Sequence, residues 1–122
     1  MEEIEKKSAK IIYRPGMFGS YEILKKALID AKKAANFAWQ EDDGGTCNFD
    51  SPTIRYKEMK MKRSKVVAII ESLGMSCFQW LDSLVISGCT SGMGNRRTAM
   101  AEAFSKKLND LGISSGVYYQ MD

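Results

Sequence analysis

An α+β domain is what the sequence predicts, and three observations carry it. Two long stretches, residues 21–39 and 96–111, repeat apolar residues at helical spacing. Short runs rich in β-branched and aromatic residues lie between and after them, bounded by glycine, proline and serine. From Thr53 onward the order reads strand, helix, strand, strand, helix, strand, with one further long helix ahead of it.

The elements follow in chain order. Residues 1–9 are charged and are expected to fray, and Lys10–Arg14 reads as a short strand ended by Pro15 and Gly16. Ser20 is the predicted N-cap of a helix from Tyr21 to Trp39, with Glu22 in its first turn. Its stripe of Leu24, Leu28, Ala31, Ala35 and Ala38 is rich in alanine, so another element can approach closely; Lys25, Lys26, Lys32 and Lys33 fall off the stripe and read as a solvated face. Residues 40–52 form a loop holding Asp42, Asp43, Cys47 and Asp50. Thr46, Asn48 and Asp50 suit side-chain-to-backbone turns, and the acidic neighbours of Cys47 disfavour the thiolate.

Thr53–Tyr56 alternates as a strand, with Ile54 and Tyr56 on one face. A basic stretch follows, with Arg55, Lys57, Lys60, Lys62, Arg63 and Lys65 interleaved with Met59 and Met61. Ser64 is placed to cap a helix running to Gly74, with Val66, Ile69, Ile70 and Leu73 inward. Met75–Trp80 reads as extended, Phe78 and Trp80 on one face and Met75 and Cys77 on the other; Leu81–Ser83 turns the chain. Cys77 then reads as a small buried hydrophobe.

Leu84–Ile86 is the strand that leads into a glycine-rich loop, Gly88 to Gly94. Asn95 is the predicted N-cap of the second long helix, and Gly112 is placed to end it in the left-handed conformation. Ile113–Met121 reads as the last strand, Val117, Tyr119 and Met121 alternating with Tyr118 and Gln120. The βαββαβ order is that of a ferredoxin-like core carrying an additional long N-terminal helix. If Phe78–Trp80 were not a strand, a three-layer α/β sheet would be the alternative. All 122 residues are expected in a single domain, 1–122.

Composition narrows the function. Hydrophobic content of 44% and charged content of 27% argue against a disordered chain. A net charge of +3 is too small to argue for nucleic acid by itself. The first residues lack the apolar core of a signal peptide, and no apolar run approaches the ~20 residues of a membrane helix. Three cysteines without close pairs fit a reducing compartment, so a cytoplasmic location is expected. Histidine is absent, which removes imidazole-based triads, dyads and zinc sites. A binding or interaction module is therefore expected rather than an enzyme, with no cofactor and no metal.

The candidate site is the Gly88–Arg97 loop. A helix N-terminus behind a glycine loop offers unpaired amide donors and the positive end of the dipole. Arg96 and Arg97 in the first turn oppose that dipole, and an anion would offset the cost. The expected ligand is a small phosphate or carboxylate, held by Gly88, Thr90, Ser91, Gly92, Gly94, Asn95, Arg96 and Arg97. The loop departs from known phosphate-binding signatures, since Gly94 is followed by Asn-Arg-Arg instead of Lys and Ser or Thr. Cys89, near the helix start and two arginines, is the candidate reactive thiol. Two alternatives stand beside this reading. One is nucleic-acid binding through the 55–65 stretch, Arg96, Arg97 and an exposed Tyr118. The other is a homodimer through helix 21–39 or a sheet edge.

Overall fold

A computed structural model of the chain describes residues 21–39, 41, 44, 50–59, 61–90 and 94–119. The expected strand at 10–14, the Ser20 cap, Asp42, Asp43, Cys47, Ser91, Gly92 and the final residues 120–122 lie outside the described residues. The elements are α1 (Tyr21–Phe37), β1 (Ser51–Ile54), a 3₁₀ turn (Tyr56–Met59), α2 (Arg63–Ser72), β2 (Ser76–Trp80), β3 (Ser83–Ser87), α3 (Gly94–Asp110) and β4 (Val117–Tyr118). The class is mixed α+β, with a four-stranded antiparallel sheet in the order β2-β3-β1-β4.

Pairing fixes the strand directions. β1 and β2 both run antiparallel to β3, which lies between them, so they are parallel to each other and joined through α2. β3 and β4 likewise flank β1 and are joined through α3. α3 packs on β1 and α2 on β2, covering one face of the sheet. Ile54, Leu84 and Ile86 project into that core beside Val66, Ile69, Ile70, Phe104 and Leu108.

α1 packs chiefly on α3 and also on α2. Leu24, Ala27, Leu28, Ala31 and Ala35 are all buried, so its apolar stripe is consumed within the chain. That leaves the expectation of a dimer through this helix without support from its apolar stripe. The alanines explain the packing: with side chains this short, the α1 and α3 backbones come close enough to exclude water. Lys32 also departs from the expected solvated face, because its Nζ donates to the Leu73 carbonyl, 3.2 Å away, at the C-terminal end of α2.

α1 starts at Tyr21 as expected and stops at Phe37, two residues early, whereas α2 and α3 differ from expectation at their starts and stop at the expected glycines. α2 begins at Arg63 with Lys62 in the cap position and no side-chain cap bond, so Ser64 is inside the first turn. α3 begins at Gly94, which puts Asn95 inside the helix and not at its cap. Gly74 (φ 80°) and Gly112 (φ 88°) both adopt the left-handed conformation. In each case the glycine N–H and the next N–H reach back to the last turn, Gly74 to Glu71, Met75 to Ile70, Gly112 to Asn109 and Ile113 to Leu108. Those paired bonds satisfy carbonyls that a helix end otherwise leaves open.

One strand is shifted from the expected span and another is shorter: β1 lies two residues earlier than Thr53–Tyr56, at the same length. β1 ends at Ile54, and Tyr56 enters a 3₁₀ turn in which Tyr56 and Met59 are buried. β4 spans two residues, because Ser114, Ser115 and Gly116 pair irregularly with β1: Thr53 N–H donates to the Gly116 carbonyl and Gly116 N–H to Thr53 Oγ1.

Candidate functional site

The start of α3 is the first place to look for a ligand. Here the chain supplies its own partners. Arg97 Nε donates to the Asp50 carbonyl at 2.7 Å, and its Nη2 donates to Ser51 Oγ at 2.9 Å. Thr98 Oγ1 donates to the buried Asp50 carboxylate at 2.6 Å. Asn95 N–H donates to the Gly44 carbonyl at 3.0 Å. Arg96 Nη2 donates to the Glu41 carbonyl at 2.6 Å, and its guanidinium lies 4.4 Å over the Trp39 ring. The conflict between two arginines and the helix dipole is thus relieved by main-chain carbonyls and by the Asp50 carboxylate, which sits where a negative charge is favoured.

The expected site residues are consequently divided. Asn95, Arg96 and Arg97 come together at the first turn of α3, but their described hydrogen bonds go to the 41–51 segment. Gly88 (φ 96°) ends β3, where an added Cβ would lie 3.4 Å from the Met75 Cα; its bare backbone serves a close strand approach. Thr90 is half-buried, and Gly94 opens the helix at φ 61°. Asp50 was expected to form a local turn and instead crosses to Thr98. Nothing in the local sequence signals that long-range bond.

Cys89 is buried, and burial pushes its thiol from the ordinary 9.0 up to about 12. The nearby Arg97 and Lys32 charges act in the lowering direction and do not overcome it. This reverses the expectation of a reactive thiol, because desolvation of the thiolate outweighs the cations. With a pKa of about 12, roughly one thiol in ten thousand is ionised at pH 8. Cys89 is expected to resist iodoacetamide in native protein at pH 8 and to react on unfolding in urea, as read by peptide mass mapping. The neutral thiol contributes stability that is present below pH 9 and lost as pH rises toward about 12.

The second place is the sheet face that α2 and α3 leave open. Alternation and register put Phe78, Val85 and Thr53 in one row across β2, β3 and β1. Trp80 pairs with Ser83, and Tyr118 pairs with Ser51, on the same face. Tyr118, from one edge strand, meets the aromatic rings of the other. Its ring centroid is 4.8 Å from Trp80 and 6.1 Å from Phe78, both edge-to-face. The rings form a roof over the middle of the sheet, which explains why Val85 is only 1% exposed although it points away from the helix-side core. Phe78 and Trp80 remain 47% and 41% exposed. Tyr118 is half-buried, not exposed as expected, because it is one of the rings of the roof. Tyr119 turns elsewhere and donates its hydroxyl to Glu102 Oε2 at 2.8 Å.

Exposed cations follow β1 in the chain. Arg55 is exposed, its Nη1 donating to Ser114 Oγ at 2.8 Å. Tyr56, Met59 and Met61 anchor the following segment in the core and leave Lys57, Lys62, Arg63 and Lys65 exposed. Arg63 Nε donates to Gln79 Oε1 at 2.8 Å; Gln79 pairs with Leu84, so this bond lies on the helix side of β2, the face opposite Trp80. Among the described residues, no group of three or more Cys, Asp and Glu side chains could hold a metal, and no helix is long and apolar enough to cross a membrane.

No protein-family model, curated protein or solved structure matches this chain.

Proposed function

We propose that the chain is a binding module for single-stranded nucleic acid, with the open sheet face as its working surface. The observation that carries this reading is the ring cluster of Phe78, Trp80 and Tyr118, with the exposed Arg55 directly after β1. Bases stack on aromatic faces with little regard to sequence, and cations beside them meet the phosphates. A duplex offers neither an unstacked base nor a shape that fits a flat sheet. Phe78 and Trp80 remain partly exposed and so open to a base, while the exposed Arg55, directly after β1, supplies charge beside them.

A ferredoxin-like core is the architecture we infer for this platform. Support comes from two interleaved strand–helix–strand units, β1-α2-β2 around β3 and β3-α3-β4 around β1. Free thiols at Cys77 and Cys89 support a reducing, cytoplasmic setting. A small anion at the Gly88–Arg97 loop is the second reading. It ranks lower because Arg96 and Arg97 already donate to Glu41, Asp50 and Ser51.

Fluorescence anisotropy of a labelled oligonucleotide of about ten nucleotides tests the proposal, since one small module covers ~4–16 nucleotides. Trp80→Ala and Tyr118→Ala are each expected to cost about 1–3 kcal/mol of binding, the worth of one base stack. Arg55→Ala is expected to lower the slope of log Kobs against log salt by about 0.7, one phosphate contact on a single strand. Absence of binding at low salt, or binding unchanged by both ring substitutions, would overturn the reading.

A further inference from the structure

Among the described residues, the outer edge of β2 has no paired strand. β2 pairs along all five residues with β3, and on its other side no described strand pairs with it. Natural edge strands are usually blunted by lysine, proline or a bulge. Ser76-Cys77-Phe78-Gln79-Trp80 has none of these: it carries no charge and no proline, and its register with β3 is unbroken. The opposite edge, β4, is only two residues long. An open edge of this kind is a template for another strand.

We propose that β2 pairs antiparallel with β2 of a second copy, joining two four-stranded sheets into one eight-stranded sheet about a two-fold axis. The occupant is argued from charge. A five-residue strand paired with itself along its whole length is centred on Phe78. Cys77 then faces the partner's Gln79, and Gln79 faces the partner's Cys77. α2 lies beside β2 on the helix side and carries a charge near each of these positions. Arg63 holds Gln79 by a hydrogen bond, and Glu71 lies near enough to Cys77 for its charge to act on that thiol. Both side chains are on exposed positions of α2. The two-fold therefore brings Arg63 of each copy toward Glu71 of the other, giving two opposite-charge pairings and no like-charge clash within the strands. A two-fold contact uses the same patch on both copies, and this patch is complementary to itself. The aromatic platforms of the two copies become continuous across the junction.

Sedimentation and light scattering across concentration, without nucleic acid, test this independently of the binding proposal. A dimer of about twice the 13.7 kDa chain mass is expected. Glu71→Arg is expected to weaken it about tenfold at low salt, because the reversed charge acts at both symmetric pairs. The double variant Arg63→Glu with Glu71→Arg is expected to restore dimerisation, with urea melts showing that each variant folds. Phe78→Lys, which puts a like charge opposite itself, is expected to give a monomer. A monomer at every concentration, or a dimer indifferent to Glu71→Arg, would overturn the proposal.

Discussion

Phe104→Ala is expected to cost about 3–5 kcal/mol of folding stability, the range for emptying a buried phenylalanine site. Phe104 is fully buried in the core cluster, on the helix that touches both α1 and β1. It shares that core cluster with the small side chains of Ala27, Ala31 and Ala35. Two well-packed helices cannot close over the void, so both the transfer energy and the cavity energy are lost. Since domains of this size are stable by roughly 5–15 kcal/mol, the variant should lose a third or more of its margin. Urea unfolding followed by circular dichroism reads the effect as a lowered midpoint at an unchanged slope. Phe104→Leu, which keeps most of the volume, should lose much less. A cost below about 1 kcal/mol for Phe104→Ala would mean that the α1–α3 packing is looser than described.

Arg97→Ala is expected to cost about 2–4 kcal/mol, more than any substitution of an exposed charge. Its guanidinium makes two partly buried hydrogen bonds that tie the first turn of α3 to the start of β1. Hydrogen bonds to a charged group are worth about 1.5–3 kcal/mol each, and the partners left behind lose more when they stay buried. Arg97→Lys should recover little, because one ammonium does not reproduce the planar fork that spans the Asp50 carbonyl and Ser51 Oγ. Thermal melts with and without phosphate separate this from the loop-ligand reading. If Arg97 is chiefly a clamp, the variant melts lower and phosphate changes neither protein. If it holds an anion, phosphate raises the melting temperature of the wild type and not of the variant.

These two residues show how unevenly the chain is legible. Phe104 announces itself, since a helical stripe with a large ring in its middle has few destinations other than a core. Arg97 is conspicuous too, but its partners are not, because Asp50 and Ser51 are 47 and 46 positions away in sequence. Cys89 illustrates the same limit from the other side. Nearby cations are visible in the sequence, whereas burial, which dominates its thiol, depends on how the end of β3 packs.

By itself the sequence determined the class of each main element, the close-packing alanine face of α1, the end of α2 at Gly74, the left-handed stop of α3 at Gly112, and the extended Phe78–Trp80 segment. Those features depend on local periodicity and on backbone conformations that glycine alone adopts cheaply, so neighbours in the chain suffice to reveal them. Only the tertiary structure decided that Tyr118 meets Trp80 and Phe78 over the sheet, that Asp50 supplies the negative charge at α3, and that β2 is left at an open edge. Strand order and register set each of these, and they arise when β1 enters between β3 and β4. Burial of apolar surface between segments far apart in the chain drives that pairing, and it leaves no mark at any single position.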